Sequence, residues 1–286
     1  TVAPAPESLD ADDAAAAAPE PAPRRAGASA QLGLGLDDTR PKPASRPAGA
    51  LDVVVTPQER AAARRDELAR QKFDRAGYET VSDLAVLGRW IAQATDQHLV
   101  AIDIVTDSPD PMRAEIIGVA LALAPGRACY VPLGHRRGDD LLAGGGLTPG
   151  QVDRDAALAL LRPMLESPAV LKVGHDLKAD LHALVRHGIA LVSLDDVQLM
   201  SYVLDAGVAP HGLADLAHRH FGHEALALAD IAGKGKAQVP FERLEIDRAC
   251  PYCAEQADMA LRLWRLLEAR LVAERMRTVY ETLERP

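Results

Sequence analysis

Three short segments of this 286-residue chain place polar side chains where they could do chemistry. Asp103 closes the apolar run V-A-I-D, so a strand would hold its carboxylate at the edge of a sheet, a rigid position for a metal ligand. Asp176 and Asp180 lie four residues apart at the start of a predicted helix, on one helical face. Tyr252 is followed one helical turn later by Gln256. Carboxylates bind hard cations such as Mg²⁺, so these segments indicate metal-dependent chemistry.

Each of these segments also has an ordinary structural interpretation. Taken alone, Asp103 could be a strand-end aspartate, and Asp176 has the residue type of a normal helix N-cap. Glu255 and Asp258 lie near Gln256 in sequence, but about 100° and 200° around the helix from it. We therefore expect these two acids to cap or solvate the helix rather than to bind a metal.

The elements that must position these residues follow an α/β pattern. Helical spacing of apolar residues predicts an amphipathic helix over 81–95. Strands are predicted at 99–104, 115–123 and 128–133, and helices and strands then alternate. A helix is expected over 195–204, and a long final helix from about residue 251. A meander of strands followed by this alternation predicts a mixed β-sheet flanked by helices.

The start of the chain has a different composition. Residues 1–55 are rich in proline and alanine, with eight of the twenty prolines in the first fifty residues, and predict a disordered linker. Residues 56–75 are charged and alanine-rich, and predict a solvated helical connector. The apolar patterning that can build a core begins at about residue 76 and continues to 286.

Composition limits the possible functions. Only 3% of residues are aromatic, too few to spread base stacking over a long surface. The net charge of −9 argues against a general nucleic-acid coat, but allows an acidic site that meets phosphate through metal ions. With no run of 18 apolar residues and no signal peptide, we expect a cytoplasmic protein without membrane contact. Three cysteines cannot form a disulfide framework, and C-P-Y-C lacks the second pair that a zinc site would need.

Taken in order, the segments V-A-I-D-I-V-T-D (100–107), V-G-H-D-L-K-A-D (173–180) and P-Y-C-A-E-Q-A-D (251–258) resemble a known motif set. They are similar to the three motifs of the 3′-5′ exonuclease (proofreading) domain of bacterial DNA polymerase I, a DEDDy-type exonuclease. The resemblance runs from about residue 73 to 286 and is of the alphaproteobacterial type. It implies a ribonuclease-H-like fold over 76–286, ending at the start of a polymerase module.

The resemblance also implies a role for each matching residue. Asp103 would bridge two Mg²⁺ or Mn²⁺ ions, Asp180 would support the ion at the leaving group, and Tyr252 would orient the attacking water. The family pattern has a glutamate at position 105 and an aspartate at position 256, where this chain has Val105 and Gln256. In the second segment, histidine and aspartate replace the usual glutamine and asparagine at positions 175 and 176.

The two replacements reduce four carboxylate ligands to two, and both affect the ion that activates water. We therefore expect weak or absent exonuclease activity in a domain that mainly supports the adjoining polymerase, with Mg²⁺ or Mn²⁺ bound only if the site is active. One alternative is an active exonuclease on single-stranded DNA 3′ ends that recruits another ligand, such as Asp107. A second is a non-catalytic single-stranded-DNA-binding module of the nucleoid, with phosphate contacts from Lys234, Lys236 and Arg243.

Overall fold

The computed structural model describes residues 55–110, 112–137, 146–208, 210–235 and 238–286. The predicted linker lies outside these ranges except for its last residue, Val55. The strands are β1 (Glu79–Thr80), β2 (Leu99–Thr106), β3 (Ile116–Ala124), β4 (Arg127–Pro132), β5 (Leu171–Gly174) and β6 (Leu194–Asp196). The helices are α1 (Pro57–Arg70), α2 (Leu84–Asp96), α3 (Arg154–Leu165), α4 (Leu177–Arg186), α5 (Val197–Asp205), α6 (Leu213–Phe221), α7 (Leu228–Ala232), α8 (Ile246–Ala273) and the short α9 (Arg277–Val279), which continues into a π-helical turn (Tyr280–Glu284).

The strands form one mixed sheet in the order β1-β4-β3-β2-β5-β6. Strand β3 runs antiparallel to both β2 and β4, which confirms the predicted meander. Strands β5 and β6 continue the sheet beyond β2 in parallel, joined by helices that cross over its faces. This arrangement is the ribonuclease-H-like fold expected from the motifs, with β2 at the centre of the sheet.

Alternating side chains divide the core into two layers. In β3, Val119, Leu121 and Leu123 face α2, α3 and α4, while Ala120 and Ala122 face α8 and α5. Period-two alternation produces this division, because successive side chains of a strand point to opposite faces. The alanines leave room for the long helix α8 to lie close against β2, β3 and β4. The backbone of α8 is thereby fixed next to the central strand.

Several element boundaries differ from the sequence prediction by one to five residues, and for two of them the structure shows the reason. Helix α8 begins at Ile246 rather than near Pro251, because its first turn buries Ile246, Ala249 and Cys250. This packing outweighs the backbone hydrogen bond that a proline inside a helix removes. The helix predicted over 195–204 begins at Val197, because the preceding residues pair with β5 as strand β6.

Helix α1 lies inside the predicted connector. A capping box starts it, in which the Thr56 hydroxyl accepts from the Glu59 amide and the Glu59 carboxylate accepts from the Thr56 amide. Most of its surface is exposed, but Ala61 and Leu68 are buried against α8. No helix in the described ranges combines the length and apolar character needed to span a bilayer.

Candidate active site

Asp103 and Asp180 lie side by side where β2 meets α4. Asp103 is on β2, opposite Ala120 of β3. Asp180 is in the first turn of α4 with only 7% of its surface exposed. One of its carboxylate oxygens accepts a hydrogen bond from the backbone N–H of Ile104, at 3.4 Å. This contact brings the second motif against the first, as the sequence predicts.

The two carboxylates lack positive neighbours. Burial raises the pKa of Asp103 to about 6. The pKa of Asp180 is raised well above its ordinary value, first by burial and then by the negative charge of Asp103. Neither carboxylate forms an ion pair with a described residue. Two buried acids without a counter-charge form a site that a cation would stabilise.

The phenol of Tyr252 lies close enough to Asp103 for the two groups to interact electrostatically. Burial raises its pKa to about 12, and the charge of Asp103 is the next largest cause. Its ring packs against Phe241, with ring centroids 6.0 Å apart, and against a small apolar cluster that includes Ile231 and Leu244. The structure therefore brings the three matching residues together, because Asp103 interacts with both Asp180 and Tyr252.

The two replaced positions lie beside the same three residues. Val105 is two residues beyond Asp103 on the same face of β2, where it packs against the apolar layer under α8. Gln256 lies one helical turn beyond Tyr252 and makes no side-chain hydrogen bond with a described residue. Among the described residues, no group of three or more His, Cys, Asp or Glu side chains is arranged to hold a metal ion.

The start of α4 is held by a residue that sequence reasoning did not assign to the site. Asp176 lies at the N-cap position of α4, in agreement with the ordinary interpretation of its residue type, but it does not cap the helix with its side chain. Its backbone is left-handed, with φ of 57°, and its exposed side chain makes no capping bond. The carboxylate of Asp196 instead accepts from the amides of Leu177 at 2.8 Å and Asp176 at 3.3 Å. The adjacent aspartates of D-D-V-Q, just before a predicted helix, were the available signal.

The prediction that Glu255 and Asp258 cap or solvate the helix is wrong. Both side chains are fully buried, and neither caps nor solvates α8. Glu255 accepts hydrogen bonds from Arg75 at 2.7 Å and from the backbone N–H of Leu226 at 2.8 Å, and it lies 2.8 Å from His223. Asp258 pairs with Arg262 and accepts from the hydroxyl of Tyr78 and the amide of Gly126. Both acids are held by these partners. They therefore do not supply a carboxylate at position 256, where the family pattern has an aspartate.

The remaining candidate residues lie at the surface. Asp107 is exposed just beyond β2, where its carboxylate accepts from the backbone N–H of Glu115 at 2.8 Å. Lys234 is exposed in the loop after α7, and Arg243 is exposed in the turn before α8. Lys236 lies outside the described residues.

These features are those of a 3′-5′ exonuclease domain, and the comparison with known families agrees. A family model described as 3′-5′ exonuclease matches residues 78–272. DNA polymerase I of Rhizobium leguminosarum is 44% identical over 253 residues, which are 85% of this chain and 25% of that protein. DNA polymerase I of Pseudomonas aeruginosa is 40% identical over 199 residues, which are 67% of this chain and 21% of that protein. The chain therefore belongs to the family of 3′-5′ exonuclease domains found in DNA polymerase I.

Solved structures support the fold. The catalytic core of RRP6 from Trypanosoma brucei superposes with a TM-score of 0.55 at 16% identity, covering 79% of this chain and 58% of that one. NrnC of Brucella melitensis superposes with a TM-score of 0.51 at 18% identity, covering 73% of this chain and 86% of that one. The chain spans about a quarter or less of the length of the two DNA polymerase I relatives named above.

Proposed function

We propose that this domain descends from a proofreading exonuclease, that its hydrolytic activity on DNA 3′ ends is weak or absent, and that it mainly supports an adjoining polymerase module. The observation that carries the proposal is the pair of non-acidic side chains, Val105 and Gln256, beside Asp103. Similarity to DNA polymerase I supports the identity of the neighbouring module.

The argument rests on the chemistry of the donors. Mg²⁺ takes oxygen ligands, and its stable protein sites use charged carboxylates. Val105 supplies no donor, and Gln256 supplies at most a neutral amide oxygen. Disturbing a residue that only orients a metal ligand already costs ~10–100-fold in affinity or activity, so loss of two direct ligands should cost more. When bound, paired ions of this family would supply an activated water and a stabilised leaving oxygen.

The chain's own residues retain part of the site. Asp103 and Asp180 place their carboxyl groups close together, and burial raises the pKa of both, which favours their neutral forms in the absence of a cation. Tyr252 keeps a protonated phenol beside Asp103, because its pKa is also raised. These groups retain part of a cation site, whereas ionised carboxylates alone would repel the phosphates of a strand.

Restoring the two acids tests the proposal. We expect the Val105→Glu, Gln256→Asp double variant to degrade a 5′-labelled single-stranded oligonucleotide more than ~100-fold faster than the unmodified chain, in Mg²⁺ or Mn²⁺. The matched control is Val105→Gln, Gln256→Asn, which restores side-chain length without charge. Degradation should be followed on a sequencing gel. Rapid degradation by the unmodified chain that is abolished by Asp103→Ala would overturn the proposal.

A second candidate function is an active metal-dependent exonuclease, and the retained cluster of Asp103, Asp180 and Tyr252 is the observation that favours it. Calorimetric titration with Mn²⁺ separates the two: a silent site binds no tight pair of ions, whereas an active one does. The same protein can be titrated with a single-stranded oligonucleotide. Salt-dependent binding without cleavage would favour a DNA-binding module that uses Lys234 and Arg243.

A further inference from the structure

Asp196 caps two helices with one buried carboxylate. Its two oxygens accept from the amides of Asp176 and Leu177 at the start of α4, and one of them also accepts from Gln198 at 2.8 Å and Leu199 at 3.3 Å at the start of α5. Only 4% of Asp196 is exposed, so water cannot replace these bonds. An N-cap within its own helix is common, but here the cap of α4 comes from a residue about twenty positions later in the chain.

This cap lies within one helical turn of Asp180. Asp180 is three residues beyond Leu177 in the same helical turn, and its carboxylate contacts the Ile104 amide of β2. Asp176 is left-handed and provides no cap of its own. The position and rotation of the first turn of α4, and with them the direction of the Asp180 side chain, therefore depend on Asp196.

The backbone of Asp196 is in turn tied to the C-terminal segment, which we define as residues 277–285. The Tyr280 hydroxyl accepts from the Asp196 amide at 2.9 Å and donates to the Asp195 carboxylate at 3.1 Å. The same carboxylate accepts from the indole of Trp264 at 2.8 Å and from Arg285 at 3.2 Å. Tyr280 is 2% exposed, so the segment is anchored in the core by a polar group.

We propose that Asp196 is a positioning residue for Asp180, and that Tyr280 makes the C-terminal segment part of this positioning device. A continuous series of hydrogen bonds joins Tyr280 to Asp196, Asp196 to α4, and α4 to β2. Detachment of the segment would leave the amide of Asp196 without a partner and loosen the first turn of α4. The structural part of the proposal stands alone, whereas its functional meaning rests on the proposed role of Asp180.

Amide hydrogen exchange on the full chain tests the structural part. Tyr280→Phe keeps the ring but removes the hydroxyl, and the matched control is Tyr202→Phe, because Tyr202 is 50% exposed and its hydroxyl forms no bond with a described residue. We expect about five- to tenfold faster exchange at residues 176–178 and 196–199 in Tyr280→Phe, as for loss of one buried hydrogen bond. Exchange in α2, on the other face of the sheet, should be unchanged. Arg285→Gln should give a smaller increase at the same amides.

Two results would overturn the proposal. One is unchanged exchange at residues 176–178 in Tyr280→Phe. The other is an equal increase in α2 and α4, which would show a general loss of stability without a specific link.

A second measurement addresses Asp180 itself. In the Val105→Glu, Gln256→Asp background, Asp196→Asn and Tyr280→Phe should lower kcat about tenfold and change KM less than twofold, since the ligand is misdirected while the strand still binds. Tyr202→Phe should change neither constant. A rise in KM with unchanged kcat would contradict the positioning role. If the background has no activity, the proposed function fails, and the exchange experiment still decides the structural link.

Discussion

Helix α8 borders two acidic environments that are built in opposite ways. On one side, Glu255 and Asp258 are fully buried, and every acid has cationic and N–H or O–H partners from the protein. On the other side, Tyr252 lies near Asp103, and Asp103 forms no ion pair with a described residue. The first environment is complete without any ligand, whereas in the second the buried acids have no charged partner among the described residues.

The difference between the two sides shows what makes a buried carboxylate tolerable in this domain. A buried carboxylate is costly unless it is paired and hydrogen-bonded, and Arg262 and Arg75 meet this requirement on the first side. On the side of Asp103, the only acids at the matching motif positions are Asp103 and Asp180, and the other two positions carry the apolar Val105 and the neutral Gln256. Fewer acids reduce the repulsion that such a site suffers when no ion is bound. On this proposal, the replacements lower the cost of the empty site together with its affinity for ions.

The largest expected effect on stability comes from the side of α8 where Asp258 is paired with Arg262. Asp258→Ala leaves Arg262 buried without its partner, which should lower the free energy of unfolding by ~3–5 kcal/mol. Urea denaturation followed by circular dichroism measures this change. Glu274→Gln on the same helix is the control, because Glu274 forms an exposed pair with Arg270 that should contribute ~0–1 kcal/mol. An Asp258→Ala effect as small as that of the control would remove the distinction between the two sides.

A smaller loss is expected for Glu255→Gln. The variant keeps an oxygen that can accept from Leu226, but it removes the charge that pairs with Arg75 and lies beside His223. Because Arg75 is partly exposed and can be rehydrated, we expect a loss of ~1–2 kcal/mol, read from the same urea transitions. An effect as large as that of Asp258→Ala would show that solvent access to the cation makes no difference here.

The sequence was sufficient for the fold and for the elements that carry Asp103, Asp180 and Tyr252. Strand β2 with Asp103, the start of α4 with Asp180 and the helix with Tyr252 all follow from local patterns, so the structure confirms their placement. The buried networks of Glu255 and Asp258 were missed, because a charged residue on a helix gives no local sign of the distant arginine that pairs with it. Arg75 is 180 positions away from Glu255.

The cap by Asp196 was missed for the same reason. Helical periodicity treated the adjacent aspartates as the start of α5, and no local pattern shows that one of them also reaches α4. Asp176, by contrast, has a residue type that favours both an N-cap and a left-handed backbone, so its type could not distinguish the two. Contacts between residues far apart in the chain separate the prediction from the structure in each case.

On the side of Asp103, removing a charge should raise the free energy of unfolding, whereas on the side of Asp258 it should lower it. Asp103→Asn removes a buried charge that repels Asp180, so in buffer with EDTA we expect the free energy of unfolding to rise by about 1 kcal/mol. Chemical denaturation measures it, with Asp107→Asn as the control for an exposed neighbour. Mg²⁺ should leave the stability of both the unmodified chain and the variant unchanged if neither binds it. A loss of stability in Asp103→Asn would mean that this carboxylate has a protein partner after all.

The smallest expected effect concerns Asp205, a partly exposed carboxylate that pairs with Arg270 of α8. The hydrogen bonds from Arg270 lower the pKa of Asp205, so the folded chain holds this proton less tightly than the unfolded chain. The stabilisation is therefore complete above the ordinary value of 3.8 and is lost as the pH falls through the lower folded pKa. The difference in Tm between the unmodified chain and Asp205→Asn should be constant from pH 7 to about 5 and shrink on further acidification. A difference that grew towards low pH would have the wrong sign for an ion pair. Because Asp205 is partly exposed, its effect should stay below that of Asp258, which separates the contribution of burial from that of pairing.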